Sequence, residues 1–243
     1  MSRATAVSLD AIAAAAPALA HYTVTSIVQT LWQRPGLAPR ERAVATLAAF
    51  VARGQTIGLP HYLRLALDQG VAPGELSELI THLAFYAGWP NAFEAAAVLK
   101  DILDERGIGA EALPPASVAL LPVAEALPDD PAGLAAGVAR LSSASEGLAH
   151  FTDTLLHGEL WRRPGLAPAL RNLATLAALI AGGQAQFLPR YLPRARLAGV
   201  TREMVSELIA HLAFYAGWPV VVAAVPVVGE FFTREGDDAA PRS

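Results

Sequence analysis

The sequence predicts an all-α fold built from two tandem helical repeats. Trp32–Pro90 aligns without a gap on Trp161–Pro219, with well over half of the positions identical. A repeat of that length is a folded unit that was duplicated and fused. The chain is rich in Ala and Leu and only 7% aromatic, which suits packed helices. No run of alternating polar and apolar residues bounded by hairpin turns appears.

Each repeat reads as about five helices. The first, Ala-rich and near Leu9–Leu31, ends before the turn signal Arg34-Pro35-Gly36. Pro39 stands where a helix accepts proline, and Arg40–Arg53 carries apolar residues at helical spacing until Gly54 stops it. A short helix near Leu59–Gln69 ends at Gly70, Pro73 opens one that runs to Tyr86, and the last runs from Pro90 to Arg106. His150, Thr152 and Thr154 match His21, Thr23 and Thr25, so the repeat includes the end of the first helix. Pro226 falls inside the second repeat's last helix and should kink or shorten it. The expected organisation is repeat one at 1–107, a linker at 108–131 that packs on the surface, repeat two at 132–235, and a disordered tail at 236–243.

Bulk properties narrow the function. At 243 residues the chain can bury a sizeable core. With 18 basic and 22 acidic side chains the net charge is −4, which argues against a nucleic-acid surface. Without cysteine there are no disulfides, thiolate metal sites or thiol-based peroxidase chemistry. The opening residues lack the pattern of a secretory signal, and Val220–Val228 is too short to span a bilayer. These features give the expectation of a cytoplasmic protein without membrane partners.

Glu78, His82 and Tyr86 are four apart and share one helical face, and the second repeat keeps them as Glu207, His211 and Tyr215. They read either as a polar stripe facing a site or as an intrahelical pair that satisfies a partly buried histidine. No further His or Asp lies at ligand spacing, so no metal is expected. Arg42 and Arg171 sit in otherwise apolar helices, where an Arg needs a carboxylate partner (Glu78 or its equivalent) or binds an anion. Gln55 and Gln184 could bond a ligand or cap backbone. His61 becomes Arg190 in the second repeat, Arg40 becomes Ala169, Glu41 becomes Leu170 and Glu75 becomes Met204. This asymmetry favours the first repeat as the reactive one, since imidazole exchanges protons near neutral pH. His157, which has no counterpart, reads as a surface residue.

The run Trp-x-Arg-Pro-Gly-Leu with a following Arg, then Gly-Gln, then His-Tyr-Leu, then Glu-x-x-x-His-x-Ala-x-Tyr-Ala-Gly-Trp-Pro resembles the carboxymuconolactone decarboxylase family, which shares the alkylhydroperoxidase-like fold. The resemblance covers nearly all of each repeat. It implies cofactor-free decarboxylation of a small carboxylated lactone or keto acid, or peroxide reduction by a Cys-x-x-Cys pair. Those cysteine positions fall at Gly54 and Ile57, so the peroxidase route is absent. The family's histidine falls on His61 and its helical arginine on Arg42, the expected catalytic pair. A Glu often found four residues before the histidine is here Ile57, and Gln186 in the second repeat. Gln55, Glu78, His82, Tyr86 and Trp89 are expected to bind substrate, Trp89 and Tyr86 with Phe85 as apolar walls. The resemblance also implies a homo-oligomer, either three chains forming a ring of six repeats or a dimer. A cofactor-free isomerase or cyclase, and a non-catalytic binding or scaffold protein on the same fold, remain open.

Overall fold

The computed structural model describes residues 8–128 and 131–239, and among these no strand occurs. The first repeat comprises α1 (Leu9–Ala15), α2 (Pro17–Tyr22), α3 (Pro39–Ala52), α4 (Leu59–Asp68), α5 (Pro73–Ala87) and α6 (Trp89–Glu105). The linker carries α7 (Val123–Ala126). The second repeat comprises α8 (Pro131–Ser142), α9 (Glu146–Phe151), α10 (Pro168–Ala181), α11 (Leu188–Leu197), α12 (Arg202–Ala216), α13 (Trp218–Val222) and α14 (Val225–Ala239).

Proline sets most of these starts, standing in the first turn of α2, α3, α4, α5, α6, α10, α11 and α13, where a missing N–H costs nothing. The single first helix expected from the composition is in fact broken by Pro17. It then widens into a π-helical turn at Thr23–Val28, matched at Thr152–His157. Threonine hydroxyls bond back onto the preceding turn there, Thr25 to His21 O at 2.9 Å and Thr154 to His150 O at 2.8 Å. Pro226 acts as expected. Where α6 is continuous, the second repeat breaks after Val222 and restarts at Val225. The helix α14 then runs to Ala239, through the start of the segment expected to be disordered, and 240–243 lie outside the described residues.

The two repeats share one hydrophobic core rather than holding one each. Its centre is α3 against α10, the most extensive helix pair in the molecule. Ala43, Ala48, Ala49, Ala174 and Ala177 are almost wholly buried there and let the two backbones approach closely. Helix α5 packs on both α3 and α10, and α12 does the same from its own side. Each repeat's Glu-His-Tyr helix therefore lies against the other repeat's central helix, which positions everything that follows.

In the linker, burial is uneven. Leu120 and Val123 remain exposed, whereas Ala126 and Leu127 are buried. Leu121 exchanges two hydrogen bonds with Arg162, N–H to Arg162 O at 2.8 Å and Leu121 O from Arg162 Nε at 2.9 Å.

Candidate active site

Two buried polar clusters form, each from both repeats. On α5, Glu78, His82 and Tyr86 face residues of the second repeat. Arg163 donates to Glu78 from Nε at 2.9 and 3.0 Å and from Nη2 at 2.6 Å, and Arg171 Nη2 reaches the same carboxylate at 3.5 Å. His82 Nε2 meets Thr175 Oγ1 at 2.7 Å, and its Nδ1 accepts from Arg171 Nη1 at 3.3 Å. Trp161 Nε1 donates to the Tyr86 hydroxyl at 2.9 Å. The sequence pattern read either as a polar stripe facing a site or as an intrahelical Glu78–His82 pair. The hydrogen bonds of both side chains go to partners across the pseudo-twofold, because α5 presents that face to α10.

The second cluster repeats the plan with roles exchanged. On α12, Glu207 receives Arg34 Nε at 2.9 and 3.2 Å, and Arg42 Nη2 at 3.2 Å. His211 Nε2 meets Thr46 Oγ1 at 2.7 Å. Tyr215 accepts from Trp32 Nε1 at 2.8 Å and from the Tyr62 hydroxyl at 3.0 Å. The Arg-Pro-Gly motif is more than a turn. A Cβ on Gly36 would lie 2.5 Å from Glu207 Cγ, and one on Gly165 2.7 Å from Glu78 Cγ. Only glycine lets that loop close over the carboxylate.

The predicted residues thus divide. Arg42 belongs with Glu207, His211 and Tyr215, not with Glu78, His82 and Tyr86 of its own repeat. It is wholly buried, and its Nη2 is spent on Arg34 O, Pro35 O and Glu207. His61 stands exposed at the rim of that same cluster, its ring edge-on to Tyr62 with centroids 4.9 Å apart. Gln55 and Trp89 join neither cluster. Gln55 is exposed and closes a turn through its backbone N–H to Phe50 O at 2.9 Å, while Trp89 is 48% exposed and meets the Phe85 ring at a tilt, centroids 4.9 Å apart. His157, expected at the surface, is buried. Trp32, Arg34, Thr46 and Tyr62 were not singled out as site residues, although each is retained in the second repeat as Trp161, Arg163, Thr175 and Tyr191.

Three of the asymmetric positions, Arg40, Glu41 and Glu75, have structural roles. Glu41 and Glu75 cap α3 and α5, accepting from Ala38 N at 2.7 Å and Ala72 N at 2.9 Å. Arg40 and Glu75 form one ion pair at 2.6 Å, and both are lost together as Ala169 and Met204. In the second repeat Thr201 takes over the cap of α12.

Burial sets the electrostatics. It lowers His82 well below the ordinary histidine range, aided by Arg171 and Arg194, and it lowers His211 to about 3, aided by Arg42. Both imidazoles are neutral at pH 7. Burial also raises the Tyr86 and Tyr215 hydroxyls, so both stay protonated. The Arg34 hydrogen bond holds the Glu207 carboxyl below its usual value.

The clusters differ in access. Around Glu78, Trp161 and Arg194 are 1% exposed, the Arg194 guanidinium lies 4.5 Å above the Trp161 ring, and Arg163 is tied to the linker at Ala116 O and Pro115 O. Around Glu207, Trp32 is only partly buried, the Arg34 side chain is 48% exposed, and Leu65 replaces Arg194. Among the described residues no group of three or more His, Asp or Glu side chains could hold a metal ion, and no helix is long and apolar enough to cross a membrane.

The profile of the carboxymuconolactone decarboxylase family matches residues 8–101 and 146–230, most of the chain. The chain belongs to this family. Its two matched stretches are the two repeats whose clusters interlock above. Among curated relatives, the chain is 36% identical over 96 residues to the 4-carboxymuconolactone decarboxylase of Acinetobacter baylyi, covering 40% of this chain and 72% of that protein. It is 33% identical over 76 residues to the nitrosuccinic acid decarboxylase npaB of Metarhizium robertsii, covering 31% of this chain and 53% of that protein. The second match thus spans about half of its relative.

Proposed function

We propose that the chain is a cofactor-free, carboxymuconolactone decarboxylase-like lyase acting on a small carboxylated lactone or keto acid. The proposed reacting centre is the accessible cluster at His61, Tyr62, Trp32 and Tyr215. The observation that carries the reading is an exposed imidazole edge-on to Tyr62, whose hydroxyl is bonded to that of Tyr215. Tyr215 accepts from Trp32 and shares one hydrogen bond with the Tyr62 hydroxyl, so one proton of the tyrosine pair is left over and can stabilise an oxyanion. In the proposed step the bond to the substrate carboxylate breaks and carbon dioxide leaves. The electron pair stays on the substrate as a conjugated enolate, His61 delivers a proton to carbon, and solvent restores it. Arg42 is a positioning residue here, holding Glu207 and the Arg34 loop. Two relatives named as decarboxylases support the reaction class.

The test is carbon dioxide release from 4-carboxymuconolactone and from small β-keto acids. His61→Ala should lower turnover at least ~10-fold. Equal turnover in the variant would remove His61 from the mechanism. A second reading, a non-catalytic binding or scaffold protein, is favoured by one observation: the larger grooves at α8–α11, α3–α10 and α12–α14 are lined by other side chains than either cluster. Absence of turnover on the whole panel would select it. The chain is further proposed to associate with itself, as a dimer or as three chains in a ring of six repeats. The exposed pairs Leu19 and Leu148, and Tyr22 and Phe151, stand at equivalent places in the two repeats and would be covered by association.

A further inference from the structure

We infer that the groove between α8 and α11 is a binding site for a small carboxylate with an apolar body, separate from both polar clusters. The groove holds about 490 Å³ and is lined by Gly133, Leu134 and Arg140 from α8 and by Pro189, Arg190, Pro193 and Leu197 from α11. That volume lies in the range of small-molecule sites. Neither guanidinium has a hydrogen-bonding or ion-pair partner among the described residues, although the protein pairs most of its other arginines. Two unpaired cations over apolar walls are complementary to an anion with a hydrophobic tail.

The first repeat shows what this surface looks like without the groove. There the same helix face carries Arg64 and Asp68, each in an ion pair, Arg64 to Glu105 at 2.5 Å and Asp68 to Arg106 at 2.8 Å. In the second repeat those positions are Pro193 and Leu197, so a solvated, self-neutralised face has become apolar. The cation added to this face is Arg190, in the place of His61, while the added Arg194 is buried on Trp161. Glycine makes room for it: a Cβ on Gly137 would lie 2.7 Å from Arg190 Nη1 and 2.9 Å from Nη2, so the guanidinium edge abuts α8 at that residue. Guanidinium keeps its charge at every working pH and passes no proton. The site therefore holds an anion without turning it over, and it does not depend on the lyase reading.

The experiment is calorimetric or NMR titration of the full chain at low salt with octanoate, with octan-1-ol and inorganic phosphate as controls. Saturable octanoate binding is expected, weakened at least ~10-fold by Arg190→Ala and by Arg140→Ala, with neither control competing; tenfold corresponds to about 1.4 kcal/mol. Gly137→Ala is the discriminating variant. It favours the helix, so the protein stays folded, yet it displaces the Arg190 guanidinium and should weaken octanoate several-fold. No saturable binding, binding unchanged in the Arg140→Ala/Arg190→Ala double variant, phosphate competing as well as octanoate, or variants that alter sedimentation mass instead of binding would each overturn the site.

Discussion

Thr46 Oγ1 lies 2.7 Å from His211 Nε2 while donating its single proton to Arg42 O at 2.8 Å. The hydroxyl can therefore only accept from the imidazole, which fixes His211 with its proton on Nε2. Thr175 does the same for His82, donating to Arg171 O at 2.9 Å. The free Nδ1 of His82 then accepts from Arg171. Thr46→Val keeps the shape and strands a buried N–H, at a cost of about 1–3 kcal/mol, while Thr46→Ser should recover most of it. Urea unfolding measures both; a valine variant as stable as the parent would refute the tautomer assignment.

Acid should unfold the protein through these same histidines. His211 is held at about 3 against an ordinary 6.5, and His82 is lowered too. Between those values the unfolded chain binds protons that the folded chain does not, so stability is complete above pH 6.5 and falls as pH drops toward 3. The slope should be about 1.4 kcal/mol per pH unit for each histidine. Glu207, depressed by Arg34, adds a further loss below its ordinary 4.5. Denaturant midpoints flat from pH 7 to 4.5 would contradict this.

Gly36 and Gly165 are predicted to be unequal. Alanine at either crowds a carboxylate side chain, but Gly36 also holds φ +92, which L-residues avoid. Gly36→Ala should cost roughly 2–3 kcal/mol and Gly165→Ala roughly 1–2 kcal/mol. The same unfolding assay ranks them, and the reverse order would mean that crowding rather than backbone strain dominates.

Activity should separate the two hydroxyls. Tyr215→Phe removes the acceptor shared by Trp32 and Tyr62 at the accessible cluster, and turnover should fall at least ~10-fold. Tyr86→Phe, in the linker-covered cluster, where the second repeat has Arg190 and no counterpart of His61, should leave turnover within about twofold. Equal losses would mean that both clusters react.

Self-association is checked by sedimentation. The parent should exceed the 25.4 kDa of one chain, and Tyr22→Glu with Phe151→Glu should shift it toward that value. A parent that sediments as one chain at every concentration would defeat the proposal.

Helix boundaries were legible because prolines in the first turn and glycines after the last turn mark them locally. The break at Pro226 was legible for the same reason. The break at Pro17 and the π-helical turns were missed, since an Ala-rich pattern carries no mark of a widened turn. The Glu78, His82 and Tyr86 face was readable, but its partners were not. Arg42 and Arg171 occupy equivalent positions in the repeats, and only the placement of α5 between α3 and α10 decides which one meets Glu78. Thr46 and Thr175 could have been found by asking which buried-helix polar residues survive in both repeats. The drift at Arg40 and Glu75 is a lost ion pair and a lost cap, which in sequence look the same as a lost active site.

Because Glu78 bonds to Arg171 and Glu207 to Arg42, the molecule is in effect a dimer whose subunits share one polypeptide. In an ordinary homodimer every substitution arises twice, so its two equivalent centres must evolve in step. Covalent joining removes that obligation. Histidine at position 61 and arginine at position 190 can coexist, leaving one centre free to specialise while its twin keeps the scaffold upright.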